Sequence, residues 1–281
     1  WGFKATAIRA RVFAARHHVP YVALEDGFLR SAGSALQKPP PISVVLDDVG
    51  IYYEARQPSR LERLIRDAVD RPDFAAKGAA VRRRMLELKL TKYNTESLAS
   101  AEDLIGRPRR VLVVDQTFND QAVTGAGAGA HSFSRMLASA LQHFEADEIV
   151  VKSHPDVVAG RSRGYIDREA RERGIKVISE SVNPFDLLAF VDEVWTVSSG
   201  LGLEALVAGK PVRCFGGPFY SGWGLTDDRM MEPRAREWLQ RRREVRPTVD
   251  QLTAAALVSY PRYADPVRFE PLDIFSAMDR L

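Results

Sequence analysis

The 281-residue chain has a single cysteine, Cys214, so it can build neither a disulfide framework nor a cysteine-based zinc site. Long apolar runs are missing too. Val111-Leu112-Val113-Val114 is among the longest, far short of the roughly 18 residues a membrane-spanning helix needs. There is no internal repeat or low-complexity tract, and no aspartate cluster reads as a metal site, so no metal or other cofactor is expected. Strong net charge is absent as well: 40 Lys+Arg against 37 Asp+Glu leave +3. The clusters Arg82-Arg83-Arg84 and Arg241-Arg242-Arg243 lack interleaved aromatics, which argues against nucleic acid as a partner. A mildly basic surface suits anionic sugars, nucleotides or the anionic face of a membrane instead. One thiol and no recognisable leader make a cytoplasmic protein the expectation.

What is present is an ordinary globular balance, 45% hydrophobic and 27% charged, over a length suited to two domains. Short apolar runs alternate with helical patterns, which predicts strand–helix units and parallel sheet. Tyr21–Leu24, Ile42–Leu46 and Gly50–Tyr53 read as strands, and Ser59 as the N-cap of a helix. Residues 74–104 are helix-rich. Gly106-Arg107-Pro108-Arg109-Arg110 then breaks the pattern just before the strand Val111–Val114. Downstream the alternation restarts: helix 131–144, strand 148–152, helix 165–173, strand 175–179, helix 184–191, strand 193–197, helix 200–208, strand 212–215. The expected organisation is one Rossmann-like domain over 1–107, a second over 108–228, and a helical segment over 229–281.

Polar motifs gather at the ends of the strands, where ligands bind in such sheets. Glu25-Asp26-Gly27-Phe28-Leu29-Arg30-Ser31 places two carboxylates at a strand end, suited to acid–base work on a hydroxyl, or to pairing with Arg30. Asp115-Gln116-Thr117-Phe118-Asn119-Asp120 crowds polar groups onto a buried strand's exit. There Asp120 could serve as nucleophile or base, and Asp115 could be a structural carboxylate bonded to backbone amides. Gly125-Ala126-Gly127-Ala128-Gly129 is either a weak phosphate cradle or a mobile stretch; it is not a GxxxxGK[ST] loop. In Lys152-Ser153-His154-Pro155 the proline disfavours helix at His154, so the imidazole projects from a rigid turn, there to donate to a phosphate or protonate a leaving group, or as an ordinary surface histidine. Ser198-Ser199-Gly200 runs from a strand into a helix carrying Glu204, which makes an anion site or an ordinary cap. The loop Phe215–Thr226, rich in glycine and aromatics, reads equally as a pocket wall or a hinge.

Taken in order, Glu25–Ser31, Pro40–Tyr53, Asp115–Val123, Lys152–Pro155, Ser198–Arg213 and Phe219–Asp228 resemble the KpsC-type capsule polysaccharide transferases, and their amino-terminal module in particular. The resemblance covers nearly all of one module. It implies an α/β GT-B fold, two facing Rossmann-like domains with C-terminal helices packing back across them. It also implies a retaining β-Kdo transferase, with CMP-Kdo as donor and a Kdo-terminated phosphatidylglycerol-type glycolipid as acceptor. A β-2,4 linkage is expected by that likeness, as are a second transferase module or capsule assembly proteins as partners. Peripheral association with the inner face of the inner membrane is likewise an expectation.

Carried over residue by residue, the resemblance makes Asp120 the nucleophile and Glu25 the acid/base, with Asp26 as its alternative. His154, Ser198 and Ser199 then hold the CMP phosphate, with Lys152, Pro155 and Gly200 beside them, and Glu204 holds the cytidine. Asp26, Arg30, Gln116 and Thr117 fall on the acceptor side. Double displacement needs the two working carboxyls close together, about 5–5.5 Å apart in retaining glycosidases. Glu25 and Asp120 lie on opposite sides of the linker, so they meet only if the domains face each other. The competing readings are an inverting CMP-sialic-acid-type transferase and a non-catalytic nucleotide-sugar or polysaccharide binding module.

Overall fold

In the computed structural model, which describes residues 2, 7–33, 39–95, 97, 99–154, 157 and 160–281, the chain leaves one unit, builds a second and returns to the first. The first unit comprises Trp1–Asn94 and Val245–Leu281, and the second Thr95–Glu244. The first stretch holds α1 (Ile8–His17), β1 (Ala23–Asp26), β2 (Ser31–Ala32), β3 (Ser43–Asp47), α2 (Arg60–Ala68), α3 (Pro72–Leu88) and β4 (Tyr93–Asn94). Ser59 caps α2, its hydroxyl accepting the Glu62 N–H at 3.1 Å, and Leu61, Ile65 and Ala68 bury the inner face of that helix. Gly50–Tyr53 forms no strand. Asp47 Oδ1 accepts the Val49 and Gly50 N–H groups and turns the chain there.

The second unit runs α4 (Ala101–Ile105), β5 (Arg109–Val114), α5 (Gln121–Gly125), α6 (Ala130–His143), β6 (Ile149–Lys152), α7 (Asp167–Glu172), β7 (Lys176–Ile178), α8 (Pro184–Leu188), β8 (Val191–Thr196), α9 (Leu201–Val207), β9 (Val212–Cys214) and α10 (Pro233–Trp238). Its five strands pair in parallel in the order β7-β6-β5-β8-β9. Val111, Leu112 and Val113 in the central strand have no exposed surface, as a strand covered on both faces requires. The predicted alternation is therefore met here, strand by strand.

In the first unit it is not. After α11 (Val249–Thr253) and a π-helical turn over Ala254–Ser259, the chain adds β10 (Pro261–Ala264), β11 (Pro271–Leu272) and α12 (Ile274–Met278). The main sheet has the order β1-β3-β10-β11, and every pair in it is antiparallel; among the described residues of this unit only the short β2–β4 pair is parallel. The end of the chain thus supplies strands, not only helices. The expected 229–281 segment divides at Glu244/Val245, with its first part in the second unit. The units part at Asn94/Thr95 rather than 107/108, because α4 packs on β7 and buries Ala101 and Ile105. Both arginine clusters serve internal contacts. Arg82 pairs with Asp250 and Arg84 with Asp279, while Arg242 is buried.

Candidate functional site

From β5 the chain moves to one side for β6 and β7, then crosses to the other side for β8 and β9. The direction of winding reverses between β5 and β8, the place where open α/β sheets leave a crevice beyond their strand ends. Two polar loops flank that point, Asp115–Asp120 after β5 and Ser198-Ser199-Gly200 after β8.

Asp115 is 2% exposed and wholly committed to backbone. Its Oδ1 accepts the N–H groups of Gln116 at 2.9 Å and Tyr165 at 3.0 Å; its Oδ2 accepts those of Ile166 and Asp167, each at 3.2 Å. Burial raises its pKa, and the amide bonds oppose that rise. Asp115 is the structural carboxylate of the loop. It fastens residues 165–167 to the exit of β5.

The next four residues form a tight, braced turn. The Phe118 N–H donates to the Arg163 carbonyl at 2.8 Å, with the Arg163 guanidinium lying over the Phe118 ring. Asn119 takes φ +64°, a left-handed conformation that asparagine tolerates, and its N–H donates to the Tyr165 hydroxyl at 3.1 Å. Asp120 then caps α5, its Oδ1 accepting the Ala122 N–H at 3.0 Å, while its Oδ2 accepts the Gln116 side-chain amide at 3.3 Å. Gln116 is 4% exposed and reaches across the switch point as well. Its Oε1 accepts the Ser198 N–H at 3.0 Å, and its Nε2 lies 3.2 Å from Ser198 Oγ. Gln116, Asp120 and Ser198 are thereby brought together. Thr117 bridges to Gly164 beside them.

The serine loop is held from beneath. Ser199 donates its N–H to Thr196 Oγ1 at 3.1 Å and accepts the Leu201 N–H on its own hydroxyl at 3.3 Å. The Tyr220 hydroxyl donates to the Ser199 carbonyl at 2.6 Å. Gly202 lets that tyrosine approach: a Cβ there would lie 2.2 Å from the hydroxyl. Gly200 precedes α9, and Glu204 sits half-buried within it.

Tyr220 and Trp223 are fully buried, and the Phe215–Thr226 loop is packed interior from Phe215 to Trp223, opening to solvent only at Gly224. The buried Arg242 donates to the Pro218 and Ser221 carbonyls at 2.8 and 3.1 Å and closes that loop from behind. The glycine stretch 125–129 is likewise a packed connection. Gly125, Ala126 and Gly127 are buried, and the Ala126 carbonyl accepts the Gly217 N–H at 2.8 Å.

At the neighbouring strand end, the Lys152 ammonium donates to the Ser153 carbonyl at 2.8 Å. Burial pushes its pKa down to about 8, against a smaller opposing pull from Glu180. His154 follows, half-buried, and Pro155 lies outside the described residues.

The first unit carries the remaining predicted residues. Glu25 is 7% exposed in β1, its Oε1 accepting the Asp26 N–H at 3.2 Å. Asp26 is the partner of Arg30, with Oδ2 2.9 Å from Nε but out of line for a hydrogen bond. Arg30 Nη1 also donates to Ser31 Oγ and the Pro39 carbonyl. Gly27 is required by proximity, since a Cβ there would fall 2.1 Å from Ser43 Oγ.

Comparison with known proteins places this arrangement. Residues 1–97 and 76–263 match the model of a family described as capsule polysaccharide biosynthesis protein. A solved structure, Thermosulfurimonas dismutans KpsC, beta Kdo 2,4 transferase, aligns with a TM-score of 0.89 and 40% identity, over 99% of this chain and 84% of that one.

The chain belongs to this capsule family and is of KpsC type.

Within the family, the capsule polysaccharide modification protein LipA of Neisseria meningitidis serogroup B is 41% identical over 285 residues, covering all of this chain and 40% of that protein. Lipopolysaccharide-processing protein LpsZ of Rhizobium meliloti is 35% identical over 268 residues, 94% of this chain and 58% of that one. The chain thus spans about two fifths of its LipA relatives. The Thermosulfurimonas dismutans KpsC, beta Kdo 2,7 transferase aligns less well, with a TM-score of 0.69 and 27% identity over 95% of this chain. Among the described residues no helix is long and apolar enough to cross a membrane.

One support of the site lies beyond what the motifs announce, namely Tyr165, which acts through its hydroxyl on the backbone of a distant loop, a contact no spacing in the sequence signals. Tyr220 lies in the aromatic loop the sequence singles out, but as a brace beneath Ser199 rather than a pocket wall.

Proposed function

We propose that this KpsC-type chain is a retaining β-Kdo transferase, moving Kdo from CMP-Kdo to a Kdo-terminated phosphatidylglycerol-type glycolipid. The observation that carries the reading is the 40% identity and 0.89 TM-score with the beta Kdo 2,4 transferase over 99% of the chain. The weaker likeness to the 2,7 enzyme favours a β-2,4 linkage.

The chemistry assigns roles as follows. The Asp120 carboxylate attacks the anomeric carbon of Kdo, the bond from that carbon to the phosphate oxygen breaks, and CMP departs with the electron pair. Its developing charge is met by Lys152, His154 and the Ser198-Ser199 loop, with Gly200 opening the helix that follows. Glu204 binds the cytidine. In the second step the acceptor hydroxyl gives its proton to Glu25 and displaces Asp120, and two inversions amount to net retention. Asp26, the neighbour of Glu25 and the alternative for this role, faces Arg30. The double displacement itself calls for no metal.

The test is transfer from CMP-Kdo generated in situ to a synthetic Kdo-terminated acceptor, comparing wild type with Asp120→Ala and recording intact-protein mass. A β-linked product and a Kdo-sized adduct that the variant loses support donor, retention and nucleophile together. A product of inverted configuration points to the inverting sialyltransferase-like reading. CMP binding without product or adduct points to a binding module. The accompanying proposal of peripheral membrane association predicts binding to anionic liposomes and release by high salt, and fails if no binding occurs.

A further inference from the structure

Gln116 stands out as a polar side chain buried at the switch point with both ends of its amide engaged by protein. A buried amide facing an acceptor ligand would keep at least one end for it. Here the carbonyl end accepts from the Ser198 backbone on one wall of the crevice, and the amino end donates to Asp120 on the other wall while lying against the Ser198 hydroxyl. Because Oε1 can only accept and Nε2 can only donate, these contacts fix which way round the amide sits.

The Asp120 carboxylate is held at both oxygens, Oδ1 by the Ala122 amide and Oδ2 by Gln116. The first contact is local helix capping, and it would orient an aspartate in any such turn. The second is also short in sequence, but it comes from a side chain whose other end is held by Ser198 after β8, and so refers the carboxylate to the neighbouring strand's loop. We infer that Gln116 is a positioning residue rather than a substrate ligand: it sets the Asp120 carboxylate in register with the Ser198 loop, so that nucleophile and donor phosphate site keep one geometry. The inference rests on the roles proposed above for Asp120 and Ser198.

Three variants test it. Gln116→Met keeps the volume and removes both hydrogen-bonding ends. Its kcat is expected to fall at least about a hundredfold, the scale of a 1 Å misplacement of a reacting group, with KM for CMP-Kdo changed less than about threefold. Gln116→Glu keeps the acceptor for Ser198 but sets a carboxylate against Asp120. Its activity relative to wild type is expected to rise as pH falls and the new carboxyl takes a proton it can donate. A merely structural glutamine would not produce that pH profile. Gln116→Asn is too short to span both walls and is expected not to restore kcat.

Wild-type kcat in Gln116→Met, or a Gln116→Glu pH profile parallel to wild type, overturns the inference. A ligand-free measurement separates it from the proposed reaction. In thermal unfolding, Gln116→Met and Asp120→Asn are expected to be non-additive by roughly 2 °C. If wild type transfers no Kdo, the reaction is wrong while the cycle still decides the coupling. Additive shifts refute it whatever the activity.

Discussion

The two units hold their sheets together in opposite ways. In the second, all five strands are parallel and come from a single stretch between Arg109 and Cys214, each separated from the next by at least one helix. In the first, β3 pairs on one side with β1 nearby and on the other with β10, more than 200 residues along the chain. A parallel sheet fed by successive crossovers puts the carboxyl ends of all its strands at one edge, and so collects Gln116, Lys152 and Ser198 in the loops there as a matter of topology. An antiparallel sheet distributes its strand ends to both edges. There Glu25 and Arg30 have to be placed by particular contacts, such as Gly27 against Ser43.

Each unit also fixes a strand end with a buried aspartate. Asp115 takes four backbone N–H groups. Asp47 takes those of Val49, Gly50 and Arg60 together with the Tyr260 hydroxyl at 2.8 Å. In both, the aspartate saturated by backbone donors is structural.

The sharpest way to break this comparison is to separate the half-reactions. Glu25→Gln in the first unit should lose about 10²–10⁴ in transfer, the usual worth of a general base, while still forming the Kdo adduct on mixing with CMP-Kdo. Asp120→Ala in the second should lose adduct and transfer alike. Rapid-quench mass spectrometry reads both, and an adduct absent from Glu25→Gln would end the division of labour.

Next in size are the structural aspartates. Asp47→Ala and Asp115→Ala each leave several buried donors without an acceptor, and each should cost about 2–4 kcal/mol. Denaturant unfolding followed by hydrogen exchange should place the first loss on the β3–α2 junction and the second on residues 165–167.

The smallest effect expected is electrostatic. With its pKa near 8, Lys152 is charged below that pH and neutral above it. CMP affinity should therefore weaken, by up to roughly tenfold, as pH rises through 8. Lys152→Met should flatten that titration in calorimetry, and an unchanged slope would remove Lys152 from the phosphate site.

Much of this was legible in the residues. Val111–Val114 read as a buried strand, and the helix–strand periods after it located every strand of the second unit to within two residues or so. Asp115 was already readable as a backbone-binding carboxylate. The antiparallel sheet was not legible, because Pro261–Ala264 is a short stretch with no period of its own and becomes a strand only by adding to β3. Gly50–Tyr53 has strand composition, yet the Asp47 side chain turns its backbone away. The glycine stretch 125–129 looked open in sequence and is shut by residues from 217 and beyond.

Sequence alone determined which side chains stand at which strand ends, since local period and turn chemistry act over a few residues. Only the tertiary structure decided which of them share a hydrogen bond. Gln116 meets Ser198 across 82 residues because β8 lands beside β5, and that neighbourhood is a property of strand order, which no local pattern encodes.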